Sequence, residues 1–307
     1  MTLGRSFSVA LVGLRGHIVE VEADIGQMLP NFQLLGLPDA SLVEAKERIR
    51  AAAHNSGIPL SRRKITVNLL PASLPKRGST FDLAIVMAAL RAANDVRDPG
   101  RTVFLAELGL DGRLRPVRGI LPSVVAAVKA GYEQFVVAPG NVREAQLVPG
   151  ASVQGFDSLA HVALSFGANA TELVLQDWPS FDETVPNIES AKELDLADVA
   201  GQPGARAGLE VAAAGRHHLL LVGPPGAGKT MLAERLPGIL PDLDDGQAME
   251  VTAIHSIDGL AGGRTELIRR PPFECPHHTA STASIIGGGS GMPRPGAASR
   301  AHRGVLF

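Results

Sequence analysis

The sequence predicts an α/β protein made of two units, and three observations carry that prediction. Over roughly residues 1–166, segments with the two-residue period of a strand are interleaved with segments of helical period. Between Gly167 and Leu194 the period is lost, and Asp177, Asp182, Glu183, Glu189 and Glu193 mix with Pro179 and Pro186, the composition of a solvated acidic linker. Beyond it an apolar strand, a glycine-rich loop and a helix follow one another between Leu219 and Leu236. A chain of 307 residues suits two compact units, each large enough to bury a core.

In the first unit, polar and apolar residues alternate from Arg15 to Ala23, the pattern of a half-buried strand. Ser41 with Glu44 three residues on forms a capping box. Leu42, Ala45, Ile49 and Ala52 or Ala53 then supply the apolar stripe of a helix that stops at Asn55, Ser56 and Gly57. Ile65–Leu70 is predicted as a strand, Asp82–Ala93 as a helix and Leu114–Val117 as a short strand. A helix over Ile120–Ala130 closes at Gly131 and precedes a buried strand, Gln134–Ala138. In the second unit, Gly204–Ala214 has helical composition, Leu219–Val222 is a short apolar strand, and a helix leaving Gly228 continues through Met231–Leu236.

Composition narrows the class. Hydrophobic residues at 45% against 20% charged exclude a disordered chain, and one cysteine excludes a disulfide-stapled secreted scaffold and suits the cytoplasm. No apolar run is long enough to span a membrane. Arg5 and the run Phe7–Leu14 outline a short leader. The reading is rejected because Arg15, His17, Glu20 and Glu22 follow at once and no small-residue cleavage site intervenes. At a net charge of −2, any contact with nucleic acid must come from a local patch or an assembled oligomer. Three basic groups offer such a patch: Arg62, Arg63 and Lys64; Lys76 and Arg77; and Arg113, Arg115 and Arg118. Ordinary solvated loop charge is the alternative.

The strongest chemical signal is Gly223, Pro224, Pro225, Gly226, Ala227, Gly228, Lys229 and Thr230. This is the phosphate-loop spacing, and it sits between a predicted strand and a predicted helix, as the chemistry requires. Backbone N–H groups of such a loop converge on a polyphosphate, Lys229 bridges the β- and γ-phosphates, and the Thr230 hydroxyl coordinates Mg²⁺. ATP and Mg²⁺ are therefore the expected cofactors. Cys275, His277 and His278 suggest zinc by residue type, but no second ligand pair stands at zinc spacing, and a packing or contact loop is the alternative.

Asp195–Gln202, the phosphate loop, the segment Pro276–Ser281 with Gly287–Gly289, and the turn Pro293–Gly296 together resemble the Mg-chelatase-like AAA+ ATPases of the YifB/ComM type over essentially the whole chain. The resemblance implies a first unit over 1–166, a linker over 167–194, and the N-terminal part of an AAA+ domain over 195–307. It implies ATP-driven work on DNA in recombination or branch migration, performed by a cytoplasmic homo-oligomeric ring, a hexamer. The alternatives are a metallochelatase subunit acting on a tetrapyrrole and a non-enzymatic binding or assembly module. The chain ends at Gly304, Val305, Leu306 and Phe307, where the resemblance places the first half of a strand whose Asp-Glu pair comes next. The expectation is nucleotide binding without turnover by this chain alone, and no strand neighbours for Leu219–Val222.

Residues 65–145 also resemble the proteolytic domain of the Lon family, a ribosomal S5-like α+β fold, through Pro75–Thr80 and Asp111–Gly119. Residue by residue, the nucleophile position falls on Thr80 and the lysine base position on Leu121. A leucine takes no proton, so the expectation is a binding or assembly module with no peptidase dyad, and no catalytic residue is assigned.

Overall fold

The computed structural model describes residues 3–26, 29–36, 39–61, 63–169, 174, 194–259, 264–289 and 293–307. Contacts divide the chain into Met1–Glu183 with Ser256–Glu266, and Thr184–His255 with Leu267–Phe307. The acids and prolines expected to form the linker, Asp177 to Glu193, lie outside the described residues, as does Arg62.

The first unit runs β1 (Gly4–Val12), β2 (Arg15–Gly26), β3 (Asn31–Leu35), α1 (Ala40–Asn55), β4 (Lys64–Leu70), α2 (Asp82–Ala93), β5 (Val103–Leu105), β6 (Glu107–Leu108), β7 (Leu114–Arg115), α3 (Ile120–Lys129), β8 (Gln134–Val137), α4 (Val142–Ala145), β9 (Ser152–Gly155) and α5 (Leu159–Ser165). Seven strands form one sheet in the order β3-β4-β2-β1-β5-β8-β9. The pairs β2–β4 and β1–β2 are antiparallel, and the other four are parallel. This is the predicted mixture of strand and helix, resolved into a mostly parallel sheet.

Alternate residues of a strand point to opposite faces, and β1 uses both. On one face Gly4 lies so close to α2 that a Cβ would sit 2.0 Å from the Ala88 carbonyl oxygen, and the Ser6 hydroxyl donates to Ala84 O at 2.7 Å. On the other, Val9 lies beside Gly16 of β2, where a Cβ would sit 3.0 Å from Val9 Cγ1 and 2.5 Å from Ala126 Cβ of α3. α2 is enclosed, with Leu83–Leu90 almost wholly buried. Its apolar composition is that of a core helix with no solvated stripe.

Several predicted boundaries shift. The N-cap of α1 is Asp39 and not Ser41: the helix begins at Ala40, and Asp39 caps it by accepting from Leu42 N at 2.9 Å, while its second oxygen accepts from Gly78 N at 3.3 Å. A cap tied across the fold prevails over one supported only locally. The stripe Leu42, Ala45, Ile49, Ala52 and Ala53 is fully buried as expected. The strand predicted over Leu114–Val117 is only β7, two residues paired to β6. The run that outlined a leader is β1, a central strand.

The second unit contains a 3₁₀ turn at Leu196–Asp198, α6 (Pro203–Gly215), α7 (Lys229–Ala233), α8 (Leu236–Ile239), α9 (Asp245–Asp258, whose last turn counts with the first unit), β10 (Phe273–Glu274), α10 (Thr282–Ile286), β11 (Gly287–Gly288), β12 (Arg294–Pro295), α11 (Ala297–Arg300) and β13 (Val305–Leu306). Among the described residues its strands form two-residue pairs, β10 with β13 and β11 with β12. The predicted strand Leu219–Val222 is not formed. It pairs with no strand among the described residues, and Leu220 and Val222 are 85% and 86% exposed. Leu221 alone turns inward, against a small core of Leu196, Val199, Leu209 and Leu232. A segment becomes a strand only when neighbours take its N–H and C=O groups, and none does so among the described residues. The helix expected to run on through Leu236 breaks after Ala233 and restarts as α8, with Pro237 in its first turn.

Candidate functional site

Gly223–Thr230 forms an exposed loop that enters α7. Gly226 and Gly228 both adopt left-handed backbone conformations, φ +80° and +79°, which the two glycines permit without the cost a Cβ would bring. Gly228 is the residue from which α7 starts. The Lys229 ammonium folds back and donates to Gly223 O at 2.8 Å and Pro224 O at 2.9 Å. The N–H groups of Gly226, Gly228, Lys229 and Thr230 have no acceptor among the described residues, and Thr230 is exposed. All eight predicted residues are therefore in one loop. Its donors are unspent, and its one cation is held by carbonyls that an anion would displace.

Behind the loop stands a residue whose part the sequence does not reveal. Gln202, at the entry to α6, is left-handed itself (φ 49°, ψ 46°), and its side-chain amide donates to Ala227 O at 3.4 Å. The segment preceding it is folded onto the same small core: Leu196 and Val199 are buried, Asp195 caps the 3₁₀ turn through Ala197 N at 2.8 Å, and Arg235 donates to Asp195 O at 3.0 Å.

Pro276–Ser281 forms an exposed loop in which the His277 and His278 rings lie 4.0 Å apart and His277 Nδ1 bonds the Thr279 hydroxyl at 2.7 Å. Cys275 is exposed, and among the described residues no three His, Cys, Asp or Glu side chains converge on a point. Ser281 caps α10, and Gly287–Gly288 pairs with Arg294–Pro295, so the glycine stretch and the Pro-Arg-Pro-Gly turn close on each other. Arg300 grips Glu274 with two bonds, 2.9 and 3.0 Å.

In the first unit, the two positions taken from the Lon resemblance are not a dyad. Leu121 is fully buried in α3, and its N–H donates to Glu144 Oε1 at 3.4 Å, while Thr80 is half-buried. Lys76 does not stand in for the missing base, because its side chain is fully buried and its ammonium is spent on Gly36 O and Pro71 O. Burial lowers its pKa, but its bonds hold it on those two carbonyls. Lys76 therefore also drops out of the predicted basic patch. Arg113 pairs with Asp111 at 3.3 Å, whereas Arg63, Arg77, Arg115 and Arg118 are exposed. Beside Thr80 the Ser79 hydroxyl donates to the Glu107 carboxylate, and Asp82 is buried against Arg48. Burial pushes Asp82 up to about 6, against the pull of Arg48 and Leu108 N. The sequence marked Asp82 only as the start of a helix.

The family described as magnesium chelatase, subunit ChlI, matches residues 195–307, and that described as subunit ChlI of Mg-chelatase matches residues 21–141. Rv2897c of Mycobacterium tuberculosis, an uncharacterized protein, is 53% identical across the whole chain and 60% of its own length. Competence protein ComM of Haemophilus influenzae is 38% identical and YifB of Escherichia coli 39%, again across the whole chain, over 60% and 59% of their lengths. The chain thus spans about three fifths of the relatives it matches. Half of it is also similar, at 25% identity, to a fifth of the Lon protease of Mycolicibacterium smegmatis.

Proposed function

The chain belongs to the magnesium chelatase-like family of the YifB and ComM type, and on that premise we propose that Gly223–Thr230 binds ATP together with Mg²⁺. The observation that carries the reading is the loop itself. Two left-handed glycines lead into α7, four N–H groups are without protein acceptors among the described residues, and a lysine is parked on loop carbonyls. These residues fit a polyphosphate. The N–H groups of Gly226, Gly228, Lys229 and Thr230 would donate to phosphate oxygens, the Lys229 ammonium would leave Gly223 O and Pro224 O to neutralise their charge, and the Thr230 hydroxyl would hold the metal. ATP supplies phosphoryl-transfer free energy when bound. Binding is proposed of this chain. Hydrolysis, assembly into a cytoplasmic homo-oligomeric ring and work on DNA are proposed of the longer proteins. The family resemblance supports that wider reading, as does a relative named for competence.

Calorimetric titration with MgATP tests this. Saturable binding is expected, with at least a tenfold loss in Lys229→Ala, since a charge-assisted contact to phosphate is removed. Absence of binding to the unaltered chain, or equal affinity in the variant, would refute the assignment.

A further inference from the structure

The phosphate loop has a support on the side away from its lysine. A trans peptide unit directs its C=O and its N–H oppositely, so whatever holds the Ala227 carbonyl also aims the Gly228 N–H. That carbonyl is held by Gln202, through the 3.4 Å bond from its side-chain amide. The contact is close: a Cβ on Gly228 would lie 3.1 Å from the Gln202 amide nitrogen. The peptide unit needs such a hold, because Gly228 is in the left-handed region and, without a Cβ, is the residue about which the plane swings most cheaply. Lys229 cannot supply it, since its own bonds go to Gly223 and Pro224 at the start of the loop and are given up to an anion.

Gln202 reaches this place at a cost. It is one of four non-glycine residues with positive φ among those described, and nothing in helix entry requires glutamine there. The strain is of the order of 1 kcal/mol and persists where surrounding contacts over-determine it. Its main chain is fixed by Arg206 N, which donates to Gln202 O at 3.0 Å, and by Pro203 at the first position of α6. The amide is thus carried on a rigid element and presented to one carbonyl of the loop.

We propose that Gln202 is a positioning residue of the phosphate site: by holding Ala227 O it pre-aims the Gly228 N–H at a nucleotide polyphosphate. The proposal rests on the nucleotide reading above. Its action is on the phosphates and not on the base, so it raises affinity for ATP and for inorganic triphosphate alike.

Gln202→Gly separates this from a purely structural role, because glycine relieves the left-handed backbone while removing the amide. If Gln202 only shapes the entry to α6, the variant melts at the same or a higher temperature and binds as before. If it positions the loop, melting is likewise unharmed but the dissociation constants for MgATP and inorganic triphosphate each rise about five- to tenfold, the worth of one hydrogen bond. Gln202→Glu, nearly isosteric but without the donor, is expected to lose at least as much. Unchanged affinity for both ligands in Gln202→Gly would overturn the inference and leave the nucleotide reading intact. Failure of the unaltered chain to bind either ligand would overturn both.

Discussion

Removing Arg48 is expected to destabilise the first unit in a way that depends on pH, because the residue it serves is a carboxylate with no exposure. Arg48 Nε and Nη2 bond the two oxygens of Asp82 at 2.7 and 3.1 Å, and Leu108 N adds a third bond at 3.3 Å. The Asp82 side chain is 0% exposed and that of Arg48 23%. Even so supported, Asp82 is raised by burial from 3.8 to about 6. A carboxyl whose folded pKa lies above its unfolded one contributes stability at low pH that is lost as pH rises through the folded value. The shift corresponds to about 3 kcal/mol between pH below 4 and pH above 6. In Arg48→Met the hydrogen bonds and the charge of Arg48 no longer pull the pKa down and only the Leu108 N–H does, so it climbs further, and each added unit withdraws about 1.4 kcal/mol more at high pH.

At pH 8, where the buried Asp82 must either ionise without its cation or hold a proton against the solvent, the loss should reach about 3–5 kcal/mol. At pH 5 Asp82 takes a proton, and the deficit should shrink to about 1 kcal/mol of lost side-chain packing. Urea unfolding followed by far-ultraviolet circular dichroism at the two pH values reads both numbers. Glu107 also lies within electrostatic reach of the pair, so Arg48→Met with Asp82→Asn, which leaves Glu107 in place, is the control. It should recover most of the pH 8 loss. Equal deficits at pH 5 and pH 8, or no recovery in the double variant, would refute the account of Asp82 as a carboxylate kept ionised by Arg48.

Two further perturbations have definite outcomes. Burial lowers the Lys76 amine below its ordinary 10.5, so the unfolded chain binds more protons in that range and stability should rise with pH up to about 10.5; Lys76→Met should flatten that rise in urea midpoints. In the second unit, Leu220→Ala and Val222→Ala should each change stability by less than about 0.5 kcal/mol, whereas Leu221→Ala should cost about 1–2 kcal/mol, read from thermal melts. A loss at Leu220 matching that at Leu221 would mean that the segment is paired as a strand in solution.

How much of this was legible depends on where the determining contacts lie. α2, the core stripe of α1, and β4 emerged from the sequence because their residues sort by burial along a few turns or pleats. β1 did not. Ser6 and Ser8 are buried among its apolar residues, and the Ser6 hydroxyl is satisfied by a carbonyl of α2 seventy-eight residues away, so its polar positions do not mark a solvent face. The helix start at Asp39 was hidden for a related reason, since its second oxygen serves Gly78. β3, β5 and β9 are short and take their identity from parallel neighbours distant in the chain, which no local period records.

The same distinction runs through the candidate site. The proposed phosphate loop is legible because the chemistry assigned to it rests on eight consecutive residues: glycines that permit the turn, a lysine and a hydroxyl at fixed offsets, and backbone donors present in any sequence. Leu219–Val222 is apolar enough to be a strand, yet composition cannot supply the neighbouring N–H and C=O groups that make one. The structure accordingly leaves it without a strand partner among the described residues, with Leu221 packed against the core. Gln202 combines both difficulties. Its left-handed backbone runs against its residue type, and its partner stands twenty-five residues on, so its part emerges only when Ala227 and Gly228 are seen as one rigid peptide plane. The loop's residue types can therefore be read locally, while the aim of its donors depends on a contact that the fold alone creates.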